Sequence, residues 1–195
     1  RVYLILGSQR MIDSDQAIFG LMARHLLYNG KFHVFYYGQP YMGSLLAVLT
    51  APVFFFFGPS MFTLRVVSFI ASILSILLAY LVAKRIFNEE AALIAAATLS
   101  LAPFAIARLG VSAEGNIEML FLGLVSLNLF FKIYFRPAEE IRNPRLYGWL
   151  GFFLGLAFWA NLGIISILLT IVLFLVISEK GKIFKKPFLI MATSF

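Results

Sequence analysis

Nine carboxylates occur among 195 residues; Glu89, Glu90, Glu139, Glu140 and Glu179 lie among Lys and Arg, and the other four form two close pairs, Asp13 with Asp15 and Glu114 with Glu118. A carboxylate can act as a general base toward a hydroxyl when it is held at a boundary that raises its pKa toward neutrality. Asp13–Ser14–Asp15 also reads as a helix start, since Asp and Ser are favoured N-caps and an acid in the first turn gains ~0.3–1 kcal/mol from the helix dipole. One cap needs one acid, so Asp15 is the surplus carboxylate and the first catalytic candidate, with Asp13 beside it. Ser112 followed by Glu114 reads equally well as a second helix start. Glu118 lies further into an apolar run, where an ionisable group is expensive and marks function.

The elements that must position these acids are strongly apolar. The chain is 62% hydrophobic and 13% charged, with a mean hydropathy of +0.93, where soluble domains carry about 25% charge. The expected class is therefore an all-α integral membrane protein, a polytopic helical bundle. Crossings are expected at about 60–83, 91–108, 116–134, 147–160 and 163–178, with the end of a first crossing at 1–6 and the start of a further one at 187–195. The apolar run Tyr147–Ile177 is too long for one comfortable crossing, and Asn161 is its expected break. Both chain ends read as cut transmembrane helices, so the sequence is expected to be the N-terminal portion of a longer protein. RVYLILGSQR carries no small-residue cleavage pattern of a signal peptide.

The outer loop 7–58 is expected to hold interfacial elements instead of crossings. From Asp15 to about Tyr28 an amphipathic helix is predicted, with Ile18, Leu21, Met22 and Leu26 on its apolar face and Asn29–Gly30 at its end. Tyr41–Phe57 reads as an apolar segment interrupted by Pro52, and Phe54–Phe57 are expected to sink into lipid.

Net charge is +7, yet the basic residues lie in short runs between apolar segments, so no nucleic-acid partner is expected. Ten of the sixteen Lys and Arg fall in three loops: Lys84 and Arg85; Lys132, Arg136, Arg142 and Arg145; Lys180, Lys182, Lys185 and Lys186. The positive-inside rule makes those loops cytoplasmic. Asp13, Asp15, Glu114 and Glu118 then share the outer face of the plasma (inner) membrane with Arg65 and Arg108. Arg offers a planar fork of donors suited to phosphate, with snorkelling to headgroups as the alternative for both residues. The chain has no cysteine, which excludes disulfides and thiolate metal sites. His25 and His33 flank a glycine turn without a third ligand in view, so interfacial hydrogen bonding is the reading preferred over a metal pair. Tyr36, Tyr37 and Tyr41 can pack a sugar ring, and aromatic belts place Tyr at that depth anyway.

An ordered set of motifs now carries a resemblance. Asp-x-Asp-Gln-Ala-x-x-Gly-x-x-Ala-Arg-x-Leu-Leu begins at Asp13, Tyr37–Gly38–Gln39–Pro40–Tyr41–Met42–Gly43 follows, and Phe57–Gly58–Pro59–Ser60 leads to Arg65. Together they resemble the GT-C glycosyltransferases, nearest the branch of protein O-mannosyltransferases and lipid A aminoarabinose transferases. The resemblance covers most of Arg1–Phe131, and Gly148–Gly155 is similar to the family's fifth crossing. It implies a membrane bundle with juxtamembrane amphipathic helices on the outer face. It also implies a polyprenyl-phosphate sugar donor, a hydroxyl-bearing acceptor (lipid, glycan or protein) and inverting transfer outside the cytosol. Asp15 occupies the place of the family's catalytic Asp. Gln16 stands where the family carries Glu, and Gly38–Gln39 stand where some members carry the Glu of a metal site and a phosphate-binding Lys. Asn116, between Glu114 and Glu118, lies nearest a further Asp of the family.

The resulting expectation is a glycosyltransferase with Asp15, Asp13 and Glu118 as catalytic candidates. Arg65, Arg108, Glu114, Asn116, Gln39, Tyr37 and Tyr41 are its substrate-binding candidates. No metal ligand is assigned, and a divalent ion at the leaving phosphate stays open as a cofactor. Two other readings remain: a polytopic transporter or lipid-handling protein using the break at Asn161, and a non-catalytic relative of the family.

Overall fold

The computed structural model describes residues 13–101, 107–108, 110–135 and 144–177. The expected chain-end crossings at 1–6 and 187–195, and the basic residues Arg136, Arg142, Lys180, Lys182, Lys185 and Lys186, lie outside these residues.

Helix α1 spans Ser14–Asn29 and stops at Gly30, whose φ of 62° suits a residue without a Cβ. Asp13 holds the N-cap position, but its carboxylate accepts no bond from the helix amides. The buried face of α1 is Gln16, Phe19, Met22 and Ala23. Of the predicted face only Met22 is buried, and Leu21 is 43% exposed. The difference has a physical cause. Apolar residues surround this helix, so periodicity alone does not pick the face, and a distant partner of Gln16 turns that side inward.

A short antiparallel ribbon follows, β1 at Phe35–Tyr36 and β2 at Gln39–Gly43. Gly38 (φ 80°) closes its turn, and the two-stranded ribbon tolerates Pro40 because it has open edges. The apolar run from Tyr41 therefore divides, with α2 occupying Leu45–Phe57 and accommodating Pro52 inside. Phe55, Phe56 and Phe57 are 68–77% exposed, whereas Phe54 turns into the core at 3%. Phe19, Met22, Tyr36, Leu46 and Phe54 form one cluster beneath α1 and α2.

Helix α3 spans Met61–Ile86 and opens with a capping box. The Ser60 backbone N–H donates to Thr63 Oγ1 at 2.9 Å, and the Thr63 N–H donates to Ser60 Oγ at 3.1 Å. Its inner face is made of small residues, Ser68, Ala71, Ser72, Ser75 and Ala79, while Ile70, Ile73, Leu74, Leu77 and Leu81 face outward. That arrangement suits a bilayer, where close helix approach through small side chains replaces a hydrophobic drive. Helix α4, Glu89–Ser100, returns after an Asn88 cap. It ends at Ser100 with Leu101 as its cap; of the rest of the expected 91–108 segment, 102–106 lie outside the described residues. A Lys84–Glu89 ion pair at 2.7 Å closes the α3–α4 turn.

Helix α5 spans Asn116–Tyr134 and starts at Gly115, whose φ is 79°. The predicted cap at Ser112–Glu114 is not the start, and Glu114 stands before the helix. Ser68 meets Glu118 near the first ends of α3 and α5, and Arg85 reaches the Asn128 carbonyl toward their last, so the two helices run in the same direction. Helix α6, Pro144–Ala160, packs on α5. Asn161 then interrupts the apolar run: its Oδ1 accepts from the Gly163 N–H at 2.9 Å, a single 3₁₀ turn follows at Leu162–Ile164, and α7 runs from Ile165 to Ile177. Two described helices, α3 and α5, are long and apolar enough to cross a membrane.

Candidate functional site

The ribbon, α1 and α2 gather at the end of the bundle where α3 and α5 begin and α6 finishes. Trp159 Nε1 donates to the Val34 carbonyl at 2.8 Å, and Met42 bridges to Asn161. Gly43 lies so close to Trp159 that a Cβ there would overlap the Trp159 carbonyl oxygen. Gly115 packs against Phe19 and Met42, bringing the loop that carries Glu114 onto α1.

Within this assembly Asp15 does not cap its helix. Its Oδ1 accepts a hydrogen bond from the Tyr36 hydroxyl at 3.0 Å. Tyr36 is 2% exposed and packs edge-on to Phe19 with ring centroids 4.9 Å apart. Burial above all, then the bond to Asp15 and its charge, pushes the Tyr36 hydroxyl well above the ordinary tyrosine range. The phenol thus stays protonated and remains a donor to Asp15. Asp13 is exposed and accepts from Ser14 Oγ at 3.2 Å.

Gln16, the neighbour of Asp15, is fully buried and accepts from Arg65 Nε at 2.9 Å. Arg65 is 3% exposed and lies within the electrostatic reach of Arg108 and Glu114. One turn further along α3, Ser68 Oγ donates to Glu118 Oε1 at 2.5 Å. Glu118 is 3% exposed, and its Oε2 meets no hydrogen-bond partner among the described residues. The amide nitrogen of Gln16 is likewise buried without such a partner among them. Two hydrogen-bonded pairs, Gln16–Arg65 and Ser68–Glu118, therefore lie one turn apart on α3, and Asp15 is the chain neighbour of the first, so that a line of polar residues runs from Asp15 to Glu118.

The other candidates distribute around this line. Arg108 is exposed and Glu114 half-buried. Asn116 is exposed, and its Oδ1 accepts from Asn161 Nδ2 at 3.2 Å, tying the start of α5 to the break after α6. Gln39 buries its Oε1 with no hydrogen-bond partner among the described residues. Tyr41 is 50% exposed. Tyr37 turns away, its hydroxyl 2.9 Å from His25 Nδ1. Among the described residues no three of His, Cys, Asp and Glu converge as a metal cage. Ser68 escaped notice in the sequence, although its place three residues after Arg65 in an apolar span was the available signal. Tyr36 was noticed as a ring, whereas its role is that of a donor.

These features define a helical membrane protein with a buried polar line at one end of its bundle. Residues 38–195 match the dolichyl-phosphate-mannose-protein mannosyltransferase family, and the chain belongs to that family within the GT-C class. The chain is 35% identical over 122 residues to the undecaprenyl phosphate-alpha-4-amino-4-deoxy-L-arabinose arabinosyl transferase of Pseudomonas aeruginosa strain UCBPP-PA14, covering 63% of this chain and 21% of that protein. The like-named protein of Pseudomonas paraeruginosa is 34% identical over 125 residues, 63% of this chain and 22% of its own. The corresponding transferase 2 of Pseudomonas fluorescens strain Pf0-1 is 27% identical over 165 residues, 80% of this chain and 29% of its own. The chain spans about a fifth to three tenths of the length of these curated relatives. No solved structure matches it.

Proposed function

We propose that this chain carries catalytic residues of a glycosyltransferase that moves a sugar from a polyprenyl-phosphate donor to an acceptor hydroxyl. The reaction takes place on the outer face of the inner membrane and inverts the anomeric centre. The observation that carries this reading is the engagement of Asp15: an acid at a helix start that leaves the helix amides alone and is oriented instead by a buried phenol.

In the proposed reaction Tyr36 holds Asp15 Oδ1, leaving Oδ2 to take the proton from the acceptor hydroxyl. The acceptor oxygen bonds to the anomeric carbon as the bond from that carbon to the phosphate oxygen breaks on the opposite side. Polyprenyl phosphate leaves with the electron pair, its charge met by Arg65 and Arg108. Gln16 fixes the Arg65 fork, and Glu118 acts through Ser68 on the same stretch of α3, as positioning residues. Asp13, Glu114, Asn116, Gln39 and Tyr41 are the proposed contacts to sugar and acceptor. If a divalent ion is bound, it would supply further neutralisation of the leaving phosphate.

The test is Asp15→Asn in the full-length protein, assayed with a labelled lipid-linked sugar. Transfer should fall by about 10²–10⁴-fold, the usual contribution of a general base; undiminished transfer removes the proposal. Sidedness has its own check, because the chain has no cysteine. A single cysteine at Asn88 should be labelled from the cytosol and one at Asn29 from outside; reversed labelling would refute the orientation.

A further inference from the structure

A second polar site lies further along α1, away from Asp15. Met22, Leu26 and Val48 wall a half-open hollow of about 190 Å³ between α1 and α2, with Lys31, His33 and Ser44 as its polar lining. About 10 Å³ of it is open to the centre of a water-sized group, which is room for about one such group.

Three features of the hollow favour an anion. It lies at the N-terminus of α2, a helix of 13 residues that begins after Ser44 without a side-chain cap. The first amides of such a helix have no partner within the helix and present partial positive charge. Ser44 is 2% exposed, and its hydroxyl finds no hydrogen-bond partner among the described residues. Its own N–H is used on the Val34 carbonyl at 3.1 Å, and the residue lines the hollow. Lys31 and His33 stand at the mouth, both exposed, with the His33 ring held edge-on to Tyr37 at 4.8 Å. Among the described residues no carboxylate lines the hollow.

We propose that this hollow is a phosphate-binding site, with one phosphate oxygen on Ser44 and the first amides of α2, and the remaining charge on Lys31 and His33. It shares no residue with the line from Asp15 to Glu118, and it stands independently of the proposed transfer reaction. Phosphate can come free or as the headgroup of a membrane lipid, whose acyl portion would meet the exposed Phe32 and Val34 nearby.

The experiment uses the full-length protein in dodecyl maltoside, titrated by calorimetry with inorganic phosphate, with dihexanoyl phosphatidic acid and with phosphate-free dihexanoylglycerol. One or both phosphate probes should bind, and dihexanoylglycerol should not. Binding of inorganic phosphate identifies the free ion as sufficient; binding of the phosphatidic acid alone identifies a headgroup. The Lys31→Gln, His33→Gln double variant, whose side chains are both exposed, should weaken binding by about tenfold, the loss expected for a charge-assisted bond. Ser44→Ala should weaken it as well, and Lys31→Arg should retain it. Arg24→Gln is the control, because Arg24 lines a separate hollow with Leu21, His25 and Tyr28. The proposal is overturned if neither phosphate probe binds, which leaves a water on Ser44. It is equally overturned if binding survives in the double variant, or if only Arg24→Gln reduces it.

Discussion

Tyr36→Phe removes one oxygen and leaves the ring. The ring is what packs on Phe19 at 4.9 Å, and the site is already closed to solvent at 2% exposure, so no cavity larger than a hydroxyl results. The lost interaction is the 3.0 Å bond to Asp15 Oδ1. Hydrogen bonds to charged groups contribute about 1.5–3 kcal/mol. Asp15 is half-buried, so water can replace part of the bond, which places the loss near ~1.5 kcal/mol on that scale. If Tyr36 orients the base for proton abstraction, this energy belongs to the transition state, and kcat should fall by about tenfold. KM for the lipid-linked donor should barely change, since no donor contact is touched. The assay is steady-state transfer in proteoliposomes of the full-length protein, with Tyr36→Phe, Asp15→Asn and the double variant measured together. In the Asp15→Asn background Tyr36→Phe should add almost nothing, because the group it orients no longer accepts a proton. A kcat within twofold of the parent for Tyr36→Phe, or two losses that simply multiply, would refute the reasoning that joins Tyr36 to Asp15.

Three further outcomes follow from the same contacts. The Tyr36 hydroxyl is raised above its unfolded value, chiefly by burial, so its contribution to stability is present below about pH 10 and is lost as pH rises past it. Melting curves between about pH 8 and 11 should therefore drop less steeply for Tyr36→Phe than for the parent protein. Gln16→Leu withdraws one acceptor from buried Arg65 and should destabilise the fold by about 1.5–3 kcal/mol, whereas Gln16→Glu keeps that acceptor and should melt near the parent temperature. Gly43→Ala places a methyl group on the Trp159 carbonyl oxygen and should destabilise by about 1–3 kcal/mol, visible as a lowered melting temperature; unchanged melting would mean the ribbon is not held there.

What the sequence disclosed was chemistry that acts within a few residues. Gly30 ends α1 because the sign of its φ is a local requirement, and the serine and threonine that box the start of α3 sit three residues apart. Asn161 was visible as a break because an amide side chain in an apolar run competes for backbone bonds, and its Oδ1 does take the Gly163 amide. The inward face of α1 was hidden, because Gln16 turns inward to meet a residue 49 positions away. Glu114 reads from sequence equally as part of a helix start and as a functional acid, and it stands before α5, whose start is set by the left-handed backbone at Gly115. The resemblance placed the catalytic candidate at Asp15, yet what orients Asp15 arrives from position 36 across a ribbon that no local pattern announced.

The pairing of site and scaffold at α3 follows from its apolar surroundings. Helices in lipid gain little from burying apolar surface against each other, so small residues and hydrogen bonds between them set their relative position. Near the start of α3 two such bonds leave Arg65 toward α1 and Ser68 toward α5, one turn apart on the same inner face. A shift of α3 along its axis would strain both at once, and it would also move the cation proposed to meet the leaving phosphate. Substitutions that remove the acceptor at Gln16, the donor at Ser68 or the carboxyl of Glu118 should therefore change folded yield and transfer together. Asp15, half-buried and accepting from a residue that keeps its own packing, is where transfer can be lost while the fold is kept. Separation of those two effects at Asp15, set against their coupling at Gln16, is what distinguishes a proton-accepting residue from the frame that carries it.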